Sequence, residues 1–381
     1  MRLEVKKYAV FAYPRFADEA DRELRELFGA GYGRDPAEAE CPFFTASISG
    51  GRQTVLSAIK FARLPFVDAV IPVDAELEGA GKDYCDVVSA IQGMIDKKRA
   101  FRIEAKEINA LLDDGAKSVE VKVGSALEAE GFHPDLQHPE TIVYVLLLAK
   151  KVLVGAVDVN LIGDSVLDHF RSEQNEVGGK VNRAEFKLEE AIEFFGIDLS
   201  KIGRALDVGA APGGWTHLLA THGVAVVAMD RAPLDYARMR DAGSMLVLED
   251  RQDSGKSAEI PGVSVADISD PGVPLDGYAV VHVRASSRHM DGALLKRIGR
   301  FGMLAIDTNT TVEESAGIAG SMAMLLDPGA HLVMTVKLFN RSVRKQVASA
   351  EEILSRSYSG FGIKKLPHNR DELTLHAFRK G

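Results

Sequence analysis

The stretch that decides the fold is "ALDVGAAPGGWT", residues 205–216. Ala205 to Val208 is apolar except for Asp207, so it reads as a buried strand carrying one charge near its end. Gly209 to Gly214 holds three glycines and Pro212, and Trp215-Thr216 then opens a helix. A glycine turn between a strand and a helix N-terminus is where α/β sheets hold nucleotide-like ligands.

Outward from this turn the chain repeats strand and helix. Helix "NRAEFKLEEAIEFFG" precedes it, and helix "GWTHLLATHG" and strand "VAVVAMD" follow. A helix is expected near "LDYARMRDAG", then a Pro/Gly/Asp/Ser-rich loop over 249–277. Strand "YAVVHVRA", helix "MDGALLKRIG", strand "FGMLAID", helix "VEESAGIAGSMAMLLDPG", strand "AHLVMTVK" and helix "VASAEEILSRSY" come next. Strands "GFGIKKL" and "LTLHAF" close the series. This alternation predicts a Rossmann-like α/β sheet, mostly parallel, with an antiparallel pair at one edge.

The first half has a different rhythm. Strand "YAVFAY", helix "ADEADRELRELFG", strand "FFTASIS", helix "GRQTVLSAIKFARL" and strand "VDAVIPV" form a split βαβ unit over residues 1–75. Helix "DYCDVVSAIQGMIDKK", strand "AFRIEAKEI", helix "KSVEVKVGSALEAEG" and strands "TIVYVLLLAK" and "VLVGAVDVN" make a second unit over 76–160. Residues 161–180 lose periodicity and read as a linker to a catalytic half at 181–381.

Composition excludes several classes. The 381 residues hold two cysteines, Cys41 and Cys85, which argues against a disulfide scaffold or a zinc site and fits a reducing cytoplasm. No run of about 18 apolar residues predicts a membrane span. The net charge of −9 disfavours a generic nucleic-acid binder. Basic residues nonetheless cluster at 97–106 and from Lys337 to the C-terminus, where ten Lys or Arg stand against four Asp or Glu. For either cluster alone, a solvated face is the simpler reading. His133 and His138, and His217 and His222, are five apart, which suits polar surface better than a metal site on one helical face.

The turn itself discriminates between ligands. Asp230 ends the next strand, where an acid can bond the two ribose hydroxyls of an adenosine. The dinucleotide pattern G-x-G-x-x-G fails, because Ala211 stands at its second glycine. Asp207 would repel a pyrophosphate and favour a ligand bearing an ammonium and a sulfonium. The three glycines are expected to let the backbone approach that ligand.

These residues carry a resemblance. "LDVGAAPGGWT" is similar to the D-L-G-A-A-P-G-G-W motif of FtsJ-like S-adenosylmethionine-dependent methyltransferases. "NRAEFKLEEA", "IDTNTT", "LVMTVKLF" and "NRDELTLHAF" resemble that family's further motifs in order over 181–381. Residues 76–160 resemble a THUMP RNA-binding domain, preceded by a ferredoxin-like domain. That fusion is the arrangement of the RlmM-like ribosomal RNA ribose methyltransferases. The resemblance implies S-adenosylmethionine as cofactor, bound by Asp207, Gly209, Ala210, Pro212, Gly213, Gly214, Trp215, Asp230, Ala285, Ser286 and Asp307. It implies a catalytic tetrad of Lys187, Asp307, Lys337 and Glu372, with no metal. The implied reaction is methyl transfer to a ribose 2′-hydroxyl of RNA, of the large ribosomal subunit first and of tRNA second. A non-catalytic RNA-binding protein that keeps the pocket is the alternative from another class.

The residues support this independently. Asp307 and Lys337 each end an apolar strand at the edge where ligands bind, although a charge there is often only a solvated strand end. A lysine base needs a lowered pKa, and Lys187 together with partial burial is expected to lower that of Lys337. One departure stands out: the family has Met-Ala-Pro after the Asp, and here Thr308-Asn309-Thr310 follows.

Overall fold

The computed structural model describes residues 4–35, 43–62, 64–78, 84–108, 115–161, 180–249, 261–285, 298–338, 342–369 and 371–381. Cys41, Ser286, nearly all of the expected linker and most of the expected helix "MDGALLKRIG" lie outside them. The chain divides into two compact units, Met1–Gln174 and Asn175–Gly381.

The first unit holds two sheets. β1 (Val5–Phe11), α1 (Ala17–Phe28), β2 (Tyr32–Arg34), β3 (Phe43–Ser49), α2 (Arg52–Ala62) and β4 (Ala69–Pro72) form an antiparallel sheet ordered β2-β3-β1-β4. This β-α-β-β-α-β order is the split βαβ pattern. β5 (Ala75–Glu78), α3 (Cys85–Gln92), β6 (Ala100–Glu107), α4 (Gly115–Ala129), β7 (His133–Pro134), β8 (Thr141–Leu147) and β9 (Lys151–Asp158) form the second sheet, ordered β5-β9-β8-β6-β7. Val87 and Ile91 of α3 and Val119, Val123 and Leu127 of α4 repeat at helical spacing and pack on Phe101, Val143, Val145 and Val154. β2, β5 and β7 are absent from the sequence expectation because two to four residues carry too little periodicity to read.

The second unit is one nine-stranded sheet with helices. In chain order it comprises α5 (Ala184–Phe195), β10 (Arg204–Val208), α6 (Gly214–Thr221), β11 (Ala225–Met229), β12 (Met245–Glu249), β13 (Val263–Asp267) and β14 (Val280–Val283). β15 (Phe301–Ile306), α7 (Val312–Met322), β16 (Leu326–Lys337), α8 (Val343–Leu354), β17 (Tyr358–Lys364) and β18 (Glu372–Arg379) complete it. The order is β13-β12-β14-β11-β10-β15-β16-β18-β17, parallel except for β18. Leu304, Ala305 and Ile306 of β15 are all buried, as expected of a central strand covered on both faces.

Three expectations fail here. The segment "LDYARMRDAG" forms turns and one short 3-10 turn at Arg240–Ala242, not an α-helix. The Asp235 N–H donates to the Pro212 carbonyl, so this segment is bound to the glycine turn instead of coiling freely. "MLVLE" and "VSVAD" are strands β12 and β13; the second lies inside the stretch read as a loop, where an exposed edge strand shows little apolar pattern. The helix from Val312 stops at Met322, and Leu326 to Gly329 already belong to β16, across an irregularity in its pairing with β15.

Candidate active site

β10 is the pivot of the sheet. The chain leaves it toward β11 on one side, and later places β15 on its other side. In such sheets the crevice beyond the strand ends at this switch point holds the ligand. Five ends converge there: those of β10, β11, β15 and β16, and the start of antiparallel β18.

β16 and β18 pair so that Lys337 lies opposite Glu372. Their side chains meet as an ion pair. Lys337 Nζ also donates to Asp307 Oδ1 at 3.1 Å. Lys187 reaches the same two acids from α5, at 3.4 Å from Asp307 Oδ2 and in contact with Glu372 Oε1. Two ammonium groups and two carboxylates therefore alternate around a ring, each lysine touching both acids. All four expected catalytic residues are brought together.

The start of α5 explains how Lys187 gets there. The Asn182 side chain accepts the Ala184 N–H at 2.8 Å, closing a turn that leads into the helix. The Trp215 indole N–H donates to the Ala184 carbonyl at 2.7 Å, tying α5 to α6. Trp215 is buried in the core, so its ring is a structural tie.

The electrostatics correct one expectation. Burial alone would lower the pKa of Lys337, but Asp307 and Glu372 outweigh it and hold the ammonium above the ordinary lysine range. The net shift is upward, against the expected lowering. Burial likewise pushes Asp307 up, and the charges of Lys187 and Lys337 bring its carboxyl below the ordinary range. Both shifts favour the charged forms of Lys337 and Asp307. Thr335 adds a hydrogen bond to Asp307 Oδ1 at 2.9 Å. It was legible in principle, because Thr335 and Lys337 share one face of β16.

On the other side of β10 lies the glycine turn. Gly209 has φ of +81°, and a Cβ there would sit 2.7 Å from the Asp307 carbonyl oxygen. A Cβ on Gly213 would meet Met239 Sδ, and one on Gly214 would meet Asn182 Oδ1. The missing side chains thus leave room for this chain's own atoms, which shapes the turn closely against β15 and α5. Ala210 is buried, and Pro212 follows a cis peptide bond.

Asp207 is buried, and its Oδ2 accepts from Thr216 at 2.6 Å, while Oδ1 has no hydrogen-bond partner. Burial raises its pKa to about 7, with further upward pushes from Asp307 and Asp230. An unpartnered buried acid beside the turn fits a ligand carrying positive charge. Asp230 accepts from the N–H groups of Ala211 at 3.1 Å and Ala232 at 2.9 Å, and each oxygen keeps capacity for another donor.

Behind Asp230 stands a buried pair with no signal in the sequence reading. The Tyr236 hydroxyl donates to His282 Nδ1 at 2.6 Å, and His282 Nε2–H donates to the Asp230 carbonyl at 3.2 Å. Burial pulls the His282 pKa to about 4, so the ring stays neutral. Ala285 follows the end of β14 in a tight turn, its N–H on the Val283 carbonyl.

The histidine expectation holds for His133, His138 and His222, which are exposed, and fails for His217. His217 is buried with Nε2 2.8 Å from Asp241 and Nδ1 3.2 Å from Glu185. Within the cluster at 97–106, Lys97 donates to the Glu130 carbonyl and lies over Phe132, Arg99 pairs with Asp158 and Glu140, and Arg102 pairs with Glu104. Much of its charge is balanced internally. Among the described residues no cluster of His, Cys, Asp and Glu fits a metal ion, and no helix is long and apolar enough to cross a membrane.

Comparison with known proteins matches residues 180–372 to the FtsJ-like methyltransferase family. Ribosomal RNA large subunit methyltransferase E of Thermoplasma acidophilum is 51% identical over 69 residues, which is 18% of this chain and 28% of that protein. Ribosomal RNA large subunit methyltransferase M of Pseudomonas putida is 24% identical over 251 residues, covering 59% of this chain and 66% of the relative. Its namesake in Pseudomonas fluorescens is 23% identical over 389 aligned residues, covering 96% and 95%. The first two matches thus span less than two thirds of the relatives' length.

Proposed function

Because the chain belongs to the FtsJ-like methyltransferase family, we propose that it transfers a methyl group from S-adenosylmethionine to a ribose 2′-hydroxyl of RNA in the large ribosomal subunit. The observation that carries this reading is the ring of Lys187, Asp307, Lys337 and Glu372 at the switch-point edge.

Asp207 and the turn from Gly209 to Gly214 hold the cofactor, with Asp230 on its ribose. Trp215 supports the turn, and Ala285 flanks the adenine. When bound, S-adenosylmethionine supplies an electrophilic methyl group on a positively charged sulfur. The chain's residues handle the acceptor. The hydroxyl must lose its proton as the new O–C bond forms. Lys337 is protonated at rest, so it acts as a base only after giving that proton to solvent. A further positive charge at the strand ends favours its neutral amine. Neutral Lys337 then takes the hydroxyl proton and returns to the ammonium form, which Asp307 and Glu372 stabilise. Lys187 orients the ribose and holds both acids in place.

For the rest of the chain, we assign residues 1–75 to a ferredoxin-like domain, 76–160 to a THUMP RNA-binding domain, 161–180 to a linker and 181–381 to the methyltransferase. The split βαβ order of the first sheet and the start of the family match at residue 180 support these limits. RNA phosphates would give a salt-dependent affinity, and we place the protein in the cytoplasm.

The test is incubation with labelled S-adenosylmethionine and total RNA lacking the modification, followed by mapping of the product. Label in a ribose methyl of large-subunit ribosomal RNA is the expected result. Label in tRNA moves the substrate. Cofactor binding without any label turns the reading toward a non-catalytic RNA binder.

A further inference from the structure

Asp307 is pressed between two neighbours. On one side, its carbonyl oxygen and Thr308 Cγ2 lie 2.7 and 2.9 Å from where a Gly209 Cβ would stand. On the other side, three hydroxyls close on one another. Thr308 Oγ1 is 3.0 Å from Thr310 Oγ1 and 3.0 Å from Ser315 Oγ, and Thr310 Oγ1 is 2.9 Å from Ser315 Oγ. Ser315 is a buried residue of α7, and Thr311 caps that helix in a reciprocal box with Glu314.

We propose that the Thr308–Thr310–Ser315 hydroxyl triangle is a positioning device for Asp307, pinning the end of β15 to α7 so that one carboxylate serves both lysines. The proposal rests on the reading of Asp307 as part of the catalytic ring. A hydroxyl has one proton to donate and two lone pairs. Three hydroxyls in a closed triangle spend each donor on the next oxygen, so none is left to compete for the Asp307 carboxylate. Asp307 Oδ1 then meets Lys337 at 3.1 Å and Thr335 at 2.9 Å, and Oδ2 meets Lys187 at 3.4 Å. The Lys187 contact is near the outer limit of a hydrogen bond, so a small rotation of residue 307 gives it up. The triangle occupies the segment where the resemblance to the family breaks down. Hydroxyls here do by bonding what packing would do in an apolar segment.

Thr308→Val keeps the shape and removes one hydroxyl; Thr308→Ser keeps the hydroxyl. The first readout needs no RNA: the side-chain ammonium resonances of Lys187 and Lys337, followed by NMR. Thr308→Val is expected to shift both, while Thr308→Ser leaves them near their wild-type positions. The second readout is turnover on ribosomal RNA, with S-adenosylhomocysteine affinity and thermal midpoint measured alongside. Thr308→Val should lower kcat about tenfold or more at unchanged KM and cofactor affinity, since misplacement by a fraction of an ångström suffices. Thr308→Ser should restore it, and Ser315→Ala should behave as Thr308→Val does. Unmoved lysine resonances in Thr308→Val overturn the proposal, as does a serine variant that fails to restore them. A wild-type protein that methylates no RNA overturns the functional reading instead and leaves the resonance test standing.

Discussion

Lys337 stands directly across the β16–β18 pair from Glu372, so the register of one antiparallel strand decides which acid faces which base. A slip of one residue would turn Glu372 to the opposite face of the sheet. This arrangement makes Lys337→Ala a clean test. The variant should lose methyl transfer by about 10²–10⁴-fold, the usual worth of a positioned acid or base. Cofactor affinity should stay within a factor of about two, because Lys337 belongs to the acceptor side. Single-turnover rates and calorimetry check both. Near-normal turnover would remove Lys337 from the mechanism.

Asp207 predicts a pH dependence of cofactor binding. Its folded-state pKa of about 7 is raised by burial first. Below that pH the buried acid holds a proton; above it the acid is charged. A cationic ligand binds the charged form better, so affinity should rise as pH climbs from about 5.5 to about 7.5, with proton release on binding. Stability runs the other way. An acid with a raised folded pKa takes up a proton on folding, so its contribution is fully present only below the ordinary value of 3.8 and is lost progressively as pH rises from there to about 7. Asp207→Asn should flatten both profiles. Calorimetry with S-adenosylhomocysteine in two buffers of different ionisation enthalpy reads the proton release. A pH-independent affinity in the wild type would show that Asp207 is not in the cofactor site.

The parts of this molecule that are legible in sequence are those with long periodicity or unusual residue types. The turn at 209–214 and strands such as "FGMLAID" are unambiguous, because a fully buried strand has no polar alternative. The tetrad follows from motif order along the chain, and the register of β16 against β18 and the course of α5 bring its members together. What the sequence hides is of two kinds. Short or exposed strands such as β13 carry no pattern. Charge balance is set by distance: nothing in "TVKLF" reveals that two carboxylates overrule burial at Lys337. His217 escapes sequence reading for the same reason, since its acidic neighbours, Glu185 and Asp241, lie 32 and 24 residues away in sequence.

Gly209→Ala tests the closeness of the turn to the catalytic acid. Its Cβ would sit 2.7 Å from the Asp307 carbonyl oxygen, at a φ of +81° that an L side chain rarely adopts. The strain alone should cost about 1–3 kcal/mol, read from urea unfolding. Asp307 is backbone-coupled to this contact, so turnover should fall even where the variant is folded and saturated with cofactor. A variant with wild-type stability and turnover would mean that β10 and β15 separate more easily than the packing implies.

Trp215→Phe separates a structural role from cofactor contact. The substitution keeps an aromatic ring in the core and removes the indole N–H that holds the Ala184 carbonyl at 2.7 Å. Loss of that bond should cost about 1–2 kcal/mol of stability, the usual range for a carbonyl left without its donor. The consequence for activity follows from position. Ala184 begins α5, and Lys187 lies one turn further along the same helix. Loosening this end of α5 should therefore lower kcat through Lys187 while the affinity for S-adenosylhomocysteine changes little. Were the ring instead a wall of the cofactor site, the Trp215→Phe variant would bind more weakly and keep turnover at saturation near normal. Binding and single-turnover measurements on the one variant distinguish these outcomes.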